Sequence, residues 1–105
     1  MRVLVTAFEP FGGVETNITQ SVLSLLPDSI AGWAIEKVCL PVSFMRAPIA
    51  LREAIATCSP DFVIMLGQCP AGDNIRLERF TINMMDTTKA DNDGYIPSEE
   101  TIYAL

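Results

Sequence analysis

The chain has 105 residues, half of them apolar and 19% charged, with a net charge of −6 and no histidine. A chain of this length makes one domain and buries roughly 65% of its unfolded surface; its composition excludes a disordered or collagen-like polypeptide, and no apolar run approaches the ~18 residues of a transmembrane helix. Without histidine, no His-based metal site or His-dependent triad can be completed from these residues alone, and without a Lys/Arg cluster neither a nucleic acid nor an acidic membrane is an expected partner.

Met1 to Glu9 carries one basic residue and a short apolar run that Glu9 breaks. It lacks the long apolar region and cleavage site of a signal peptide, so a cytoplasmic location is expected. Val3-Leu4-Val5 reads as a fully buried strand. Phe8-Glu9-Pro10-Phe11-Gly12-Gly13 stops it in a Pro/Gly loop. Asn17 is placed to cap a helix whose apolar face is Ile18, Val22, Leu25 and Leu26, ending at Pro27-Asp28. Trp33 to Leu40 predicts a strand. After Pro41, Ser43 is placed to cap a second helix, with Met45, Ile49, Arg52-Glu53 and Ile55 in helical period to about Cys58. Phe62 to Leu66 is an uninterrupted apolar run and predicts a strand covered on both faces. Residues 75–85 read as extended, with Phe80, Ile82 and Met84 alternating against Arg79, Thr81 and Asn83. Asp91-Asn92-Asp93-Gly94 reads as a turn. Strand, helix, strand, helix, strand predicts an α/β layered fold with a mostly parallel sheet.

In such sheets, sites collect at the carboxyl ends of strands. Two loops fall there: 8–17 and 67–74. Phe8 and Phe11, three apart, either wall a flat apolar pocket for a small planar ring or plug the core. Gln68 carries both donors and an acceptor, suited to an amide or lactam ligand; the competing reading is a hydrogen bond that orders its loop. Glu78 either orients an imidazole or is an ordinary surface carboxylate. Gly12-Gly13 before a helix is a weak phosphate-cradle signal. The three cysteines, Cys39, Cys58 and Cys69, are odd in number and lack metal-ligand spacing, so they read as free thiols of a reducing compartment. Cys69 is a poor nucleophile on this reading, because its sequence neighbours Asp73 and Glu78 are acids.

Three blocks in order resemble the pyroglutamyl-peptidase I (pyrrolidone-carboxylate peptidase) family. They are Val3-Leu4-Val5-Thr6-Ala7-Phe8-Glu9-Pro10-Phe11-Gly12-Gly13 with Asn17; Pro60-Asp61-Phe62-Val63-Ile64 through Gly67-Gln68 to Ile75, Glu78-Arg79 and Ile82-Asn83; and Asp91-Asn92-Asp93-Gly94. The resemblance runs to about residue 97, and residues 96–105 read as outside the pattern. It implies a three-layer α/β/α sandwich with a mostly parallel sheet, of which residues 1–105 are the N-terminal part of a single domain, a truncated form. It implies a cytoplasmic, homo-oligomeric cysteine peptidase, without cofactor or metal, acting on peptides with an N-terminal pyroglutamate. Phe8, Phe11, Asn17 and Gln68 are then substrate-binding residues, with the two rings flanking the pyrrolidone. Glu78 is the catalytic acid of a Cys-His-Glu triad.

The departures are specific. The family's nucleophilic cysteine and its histidine lie further along than these 105 residues reach. Cys69 stands where an alanine is usual. Pro70-Ala71-Gly72 replaces Gly-Gly-Arg, which stiffens the loop behind Gln68. Thr88 stands where an arginine is usual. Three functions therefore compete: the peptidase, a non-catalytic binding module or remnant of the same fold, and a nucleotide binder built on Gly12-Gly13.

Overall fold

The strands β1 (Arg2–Phe8), β2 (Ser29–Ile30), β3 (Trp33–Leu40) and β4 (Phe62–Met65) form a four-stranded sheet in the order β2-β3-β1-β4. The structure, a computed structural model, describes residues 1–69 and 71–104. β1 runs parallel to both neighbours, pairing Leu4 with Glu36 on β3 and with Val63 on β4. β2 is antiparallel to β3. It is a short hairpin arm that local hydrophobicity does not announce. Its turn needs two left-handed residues, Ala31 at φ 51° and Gly32 at φ 82°.

Two helices among the described residues, α1 (Ile18–Leu25) and α2 (Arg46–Cys58), flank the sheet. They lie on opposite faces of the sheet, as the pleat of β1 demonstrates. Val3, Val5 and Ala7 pack with Leu23 and Leu26 of the α1 region and with Ile35. Leu4, of opposite parity, faces Ala50 and Ala54 of α2 across a hollow of about 380 Å³. This is the expected three-layer arrangement with a mostly parallel sheet.

Helix α1 begins where Asn17 accepts a hydrogen bond from the Thr19 N–H, the cap expected from the sequence. The buried face is another matter. Thr19 and Leu23 are buried, whereas Ile18, Val22 and Leu25 are exposed, Leu25 at 84%. The core face is thus rotated by about one residue, or ~100°, from the expected one. The cause is polar. The Thr19 hydroxyl accepts from the Phe8 N–H at 2.9 Å and donates to Asn17 Oδ1 at 2.6 Å, so a threonine must point inward. Helix α2 starts as expected: Ser43 Oγ accepts from the Arg46 N–H at 3.0 Å and its carbonyl accepts from Ala47. It ends at Ser59, which is left-handed. None of its residues is buried, and Ile49 faces solvent.

The segment 62–85 departs most from expectation. β4 lies at the edge of the sheet, and Phe62, Val63, Ile64 and Met65 are all exposed. Of the five-residue apolar run Phe62 to Leu66 that reads as covered on both faces, only Leu66 packs against the core, and the four residues of β4 stay exposed. Residues 75–84 form no strand, and both alternating sets are largely open; Ile75 is 97% and Leu77 91% exposed. Among the described residues, an isolated antiparallel bridge joins Met85 to Glu100. Burial follows what lies beside a strand, and nothing described lies beyond β4.

Candidate functional site

β1 stands between two strands reached by crossovers in opposite directions, through α1 to β3 and then through α2 back to β4. The loops leaving the carboxyl ends of β1 and β4 therefore diverge there, which is where open α/β sheets form their ligand crevices. Phe8 ends β1, and Gly67-Gln68 follow β4. The topology thus brings the two loops singled out from the sequence to one end of the sheet.

Hydrogen bonds then join them. Gln68 Oε1 accepts from the Ile18 N–H at 2.9 Å, so the carboxamide seats on the first turn of α1. This is a loop-ordering bond, and it also fixes the direction of the amide group. Asn17 is 1% exposed. Its Oδ1 accepts from Thr19, and its Nδ2 donates to the Glu9 carbonyl at 3.2 Å. Both ends of this carboxamide are engaged inside the protein, so Asn17 shapes the loop from within. The N–H groups of Ile18, Thr19 and Gln20 are all taken by Gln68 or Asn17. A phosphate has no free amides left at this turn, although Gly12 and Gly13 do adopt positive φ of 68° and 77°.

Phe8 is half-buried and borders an apolar hollow of about 320 Å³ with Val42, Phe44, Pro48, Met84 and Ile102. Phe11 is half-buried in the same loop but does not line this hollow. Glu78 stands exposed on the 71–82 segment, and no hydrogen bond or ion pair joins it to Phe8, Phe11, Asn17 or Gln68 among the described residues. Pro70, expected to stiffen the loop, lies outside the described residues. Cys69 has a neighbour that its acidic flanks did not suggest: Arg76 Nη2 donates to its Sγ at 3.2 Å. All three cysteines are free thiols.

A second loop reaches the same end of the sheet. Asp91 to Gly94 turns as expected, with Gly94 at φ 84°. Asp91 Oδ1 accepts from Asp93 and Tyr95, and its Oδ2 accepts from the Phe44 N–H at 2.8 Å. That last bond, ahead of the others, holds the Asp91 carboxyl below the usual carboxylate range. Asp93 takes a two-pronged ion pair from Arg46, at 2.9 and 2.8 Å, which with Ser43 pulls its pKa down to about 2. Asn92 reaches the aromatic loop itself: its Nδ2 donates to Pro10 O at 2.9 Å and to Glu9 Oε1 at 3.2 Å. Glu9 Oε1 also accepts from the Val42 N–H at 3.0 Å. Glu9 and Asn92 escaped the sequence reading. Asp-Asn-Asp-Gly signals a turn, but nothing local signals a partner 82 residues away.

Comparison with known proteins agrees with this architecture. The family model described as "Pyroglutamyl peptidase" matches residues 1–104. The match therefore continues through residues 96–104, which read as outside the pattern. The pyrrolidone-carboxylate peptidase of Thermococcus onnurineus is 46% identical over 103 residues, covering 98% of this chain and 52% of the relative. The solved pyrrolidone carboxyl peptidase from Thermococcus litoralis superposes with a TM-score of 0.91 at 39% identity, over 97% of this chain and 47% of the other. Pyroglutamyl peptidase I from Bacillus amyloliquefaciens gives a TM-score of 0.90 at 34% identity, over 98% of this chain and 50% of the other. The chain spans about half the length of the curated relatives it matches. On its matched residues, its sheet order and the loops at the carboxyl ends of β1 and β4, the chain belongs to the pyroglutamyl peptidase family.

Proposed function

We propose that this chain carries the ring-recognition part of a peptidase that removes N-terminal pyroglutamyl residues from peptides. The observation that carries the reading is the seating of Gln68 on the first turn of α1, beside the loop that bears Phe8 and Phe11. A carboxamide held by its oxygen keeps its N–H₂ group to donate to a lactam carbonyl, while the aromatic rings take the apolar edges of the pyrrolidone. In the complete reaction a thiolate attacks the carbonyl after the ring, an imidazolium protonates the leaving amine, and Glu78 holds that imidazole in the correct tautomer. That role needs a histidine, and the sequence holds none. Free thiols at Cys39, Cys58 and Cys69 support a cytoplasmic setting. No helix among the described residues is long and apolar enough to cross a membrane.

The sequence's lack of histidine favours a second reading, a binding module that keeps ring recognition without hydrolysis. Calorimetric titration with pyroglutamyl amide, run beside an assay of amine release from a fluorogenic pyroglutamyl amide, separates the two. The 105-residue chain is expected to bind the amide, to lose binding in Gln68→Ala and Phe8→Ala, and to release no amine. Addition of the second half of the Thermococcus onnurineus relative is expected to restore turnover, which Glu78→Gln then abolishes without changing binding. A chain that binds no pyroglutamyl amide ends the ring-recognition reading. Turnover by the chain alone, lost in Cys69→Ala, would make Cys69 the nucleophile. Failure of the second half to restore turnover selects the binding module.

A further inference from the structure

We infer that Asn92, acting with Glu9, is a positioning residue that holds the Phe8–Phe11 loop in the shape that receives the pyroglutamyl ring. The inference rests on the ring-recognition reading above and adds to it a residue far along the chain. Between the two phenylalanines lie only Glu9 and Pro10. Each of their carbonyls is gripped by a different asparagine: Asn17 Nδ2 donates to Glu9 O at 3.2 Å, and Asn92 Nδ2 donates to Pro10 O at 2.9 Å. The Glu9 backbone N–H is tied to Leu40 O at 3.0 Å, and its carboxylate accepts from both the Val42 N–H and Asn92. Pro10 has its φ set by its own ring. The backbone separating the two aromatics is therefore pinned on every side.

Asn92 can act as a clamp because it is itself fixed. Its N–H donates to Val42 O at 2.9 Å, Asp91 holds the Phe44 N–H, and Asp93 holds Arg46. Three successive turn residues thus grip Val42 and Phe44 of the link between β3 and α2 and Arg46 at the start of α2, and from that base the turn reaches across to the β1 loop. Asn92 is the member of the turn that hydrogen-bonds to the aromatic loop, through a single Nδ2 that serves Glu9 and Pro10 together. A carboxamide is required there. It must donate to two oxygens, one of them anionic, and an aspartate in its place would set two carboxylates against each other.

The test uses the 105-residue chain, titrated with 2-pyrrolidone and followed by NMR together with amide hydrogen exchange. Asn92→Ala is expected to weaken lactam binding about fivefold and to speed exchange at Glu9 and Val42, leaving the Val5 amide of β1 unchanged. Asn92→Asp is expected to weaken binding further at neutral pH, and adding Glu9→Gln to it is expected to recover the additional loss, back to the level of Asn92→Ala, because an amide then donates to the new carboxylate while Pro10 O stays without its donor. A residue needed only for general stability would not yield that recovery. Unchanged lactam affinity in Asn92→Ala, or no recovery on adding Glu9→Gln, overturns the inference. A wild-type chain that binds no lactam sinks ring recognition. Exchange at Glu9 then decides the clamp alone, and an unchanged rate in Asn92→Ala overturns it.

Discussion

β1 has two parallel neighbours, and they live in different surroundings. Towards β3 the chain is layered: Leu4 and Ala7 are fully buried, and Leu40 at the end of β3 is buried with them. Towards β4 the same backbone pairing continues in register, but every β4 side chain is exposed, as are Ile75, Leu77, Phe80 and Ile82 after it. Strand pairing and strand burial are thus separate achievements. Hydrogen bonds from β1 suffice to place β4, including the Leu66 N–H on Thr6 O at 3.0 Å. Burial needs a further layer on each face, and β4 lacks one among the described residues.

The sharpest way to break this contrast is a pair of truncations on paired strands. Leu4→Ala is expected to cost about 3 kcal/mol by urea unfolding, while Ile64→Ala is expected to cost less than about 0.5 kcal/mol. Equal losses would mean that β4 is covered in solution. A finer comparison lies within α1. Leu23→Ala is expected to cost about 2 kcal/mol, and Leu25→Ala nearly nothing. The reverse order would restore the face that hydrophobic spacing alone suggests. The smallest effect is in acid. The folded-state pKa of Asp93 is depressed to about 2, so its contribution is fully present above the usual carboxylate pKa and is lost as the pH falls through about 2; the pKa of Asp91 is also lowered, so its contribution is likewise lost below the usual carboxylate range. The Phe44 amide resonance should shift across that window as the turn releases it, before the β1 resonances change. An identical acid profile in Asp93→Asn would remove Asp93 from the account.

What could be read in advance was local. Asn17 before an apolar run, Ser43 three residues before Arg46, and the Gly-rich stop after Phe8 each act within one turn of chain, and each stands as expected. The buried face of α1 was misjudged because the deciding residue, Thr19, is polar. Its hydroxyl satisfies a strand N–H that hydrophobic periodicity does not count. The covering of β4 was misjudged because an apolar run reports what a strand suits, not what lies beside it. Gln68 was recognised by chemical type, but its contact with the Ile18 N–H spans 50 residues. Asn92 was seen only as part of a turn, since its reach to Pro10 is a product of topology.

The outer rim of β4 presents a row of backbone donors and acceptors beside apolar side chains, at a sheet margin with no further strand among the described residues. To a heat-shock holdase, or to any extended peptide, such a rim is a ready template. A strand added there would extend the parallel register that β4 already keeps with β1.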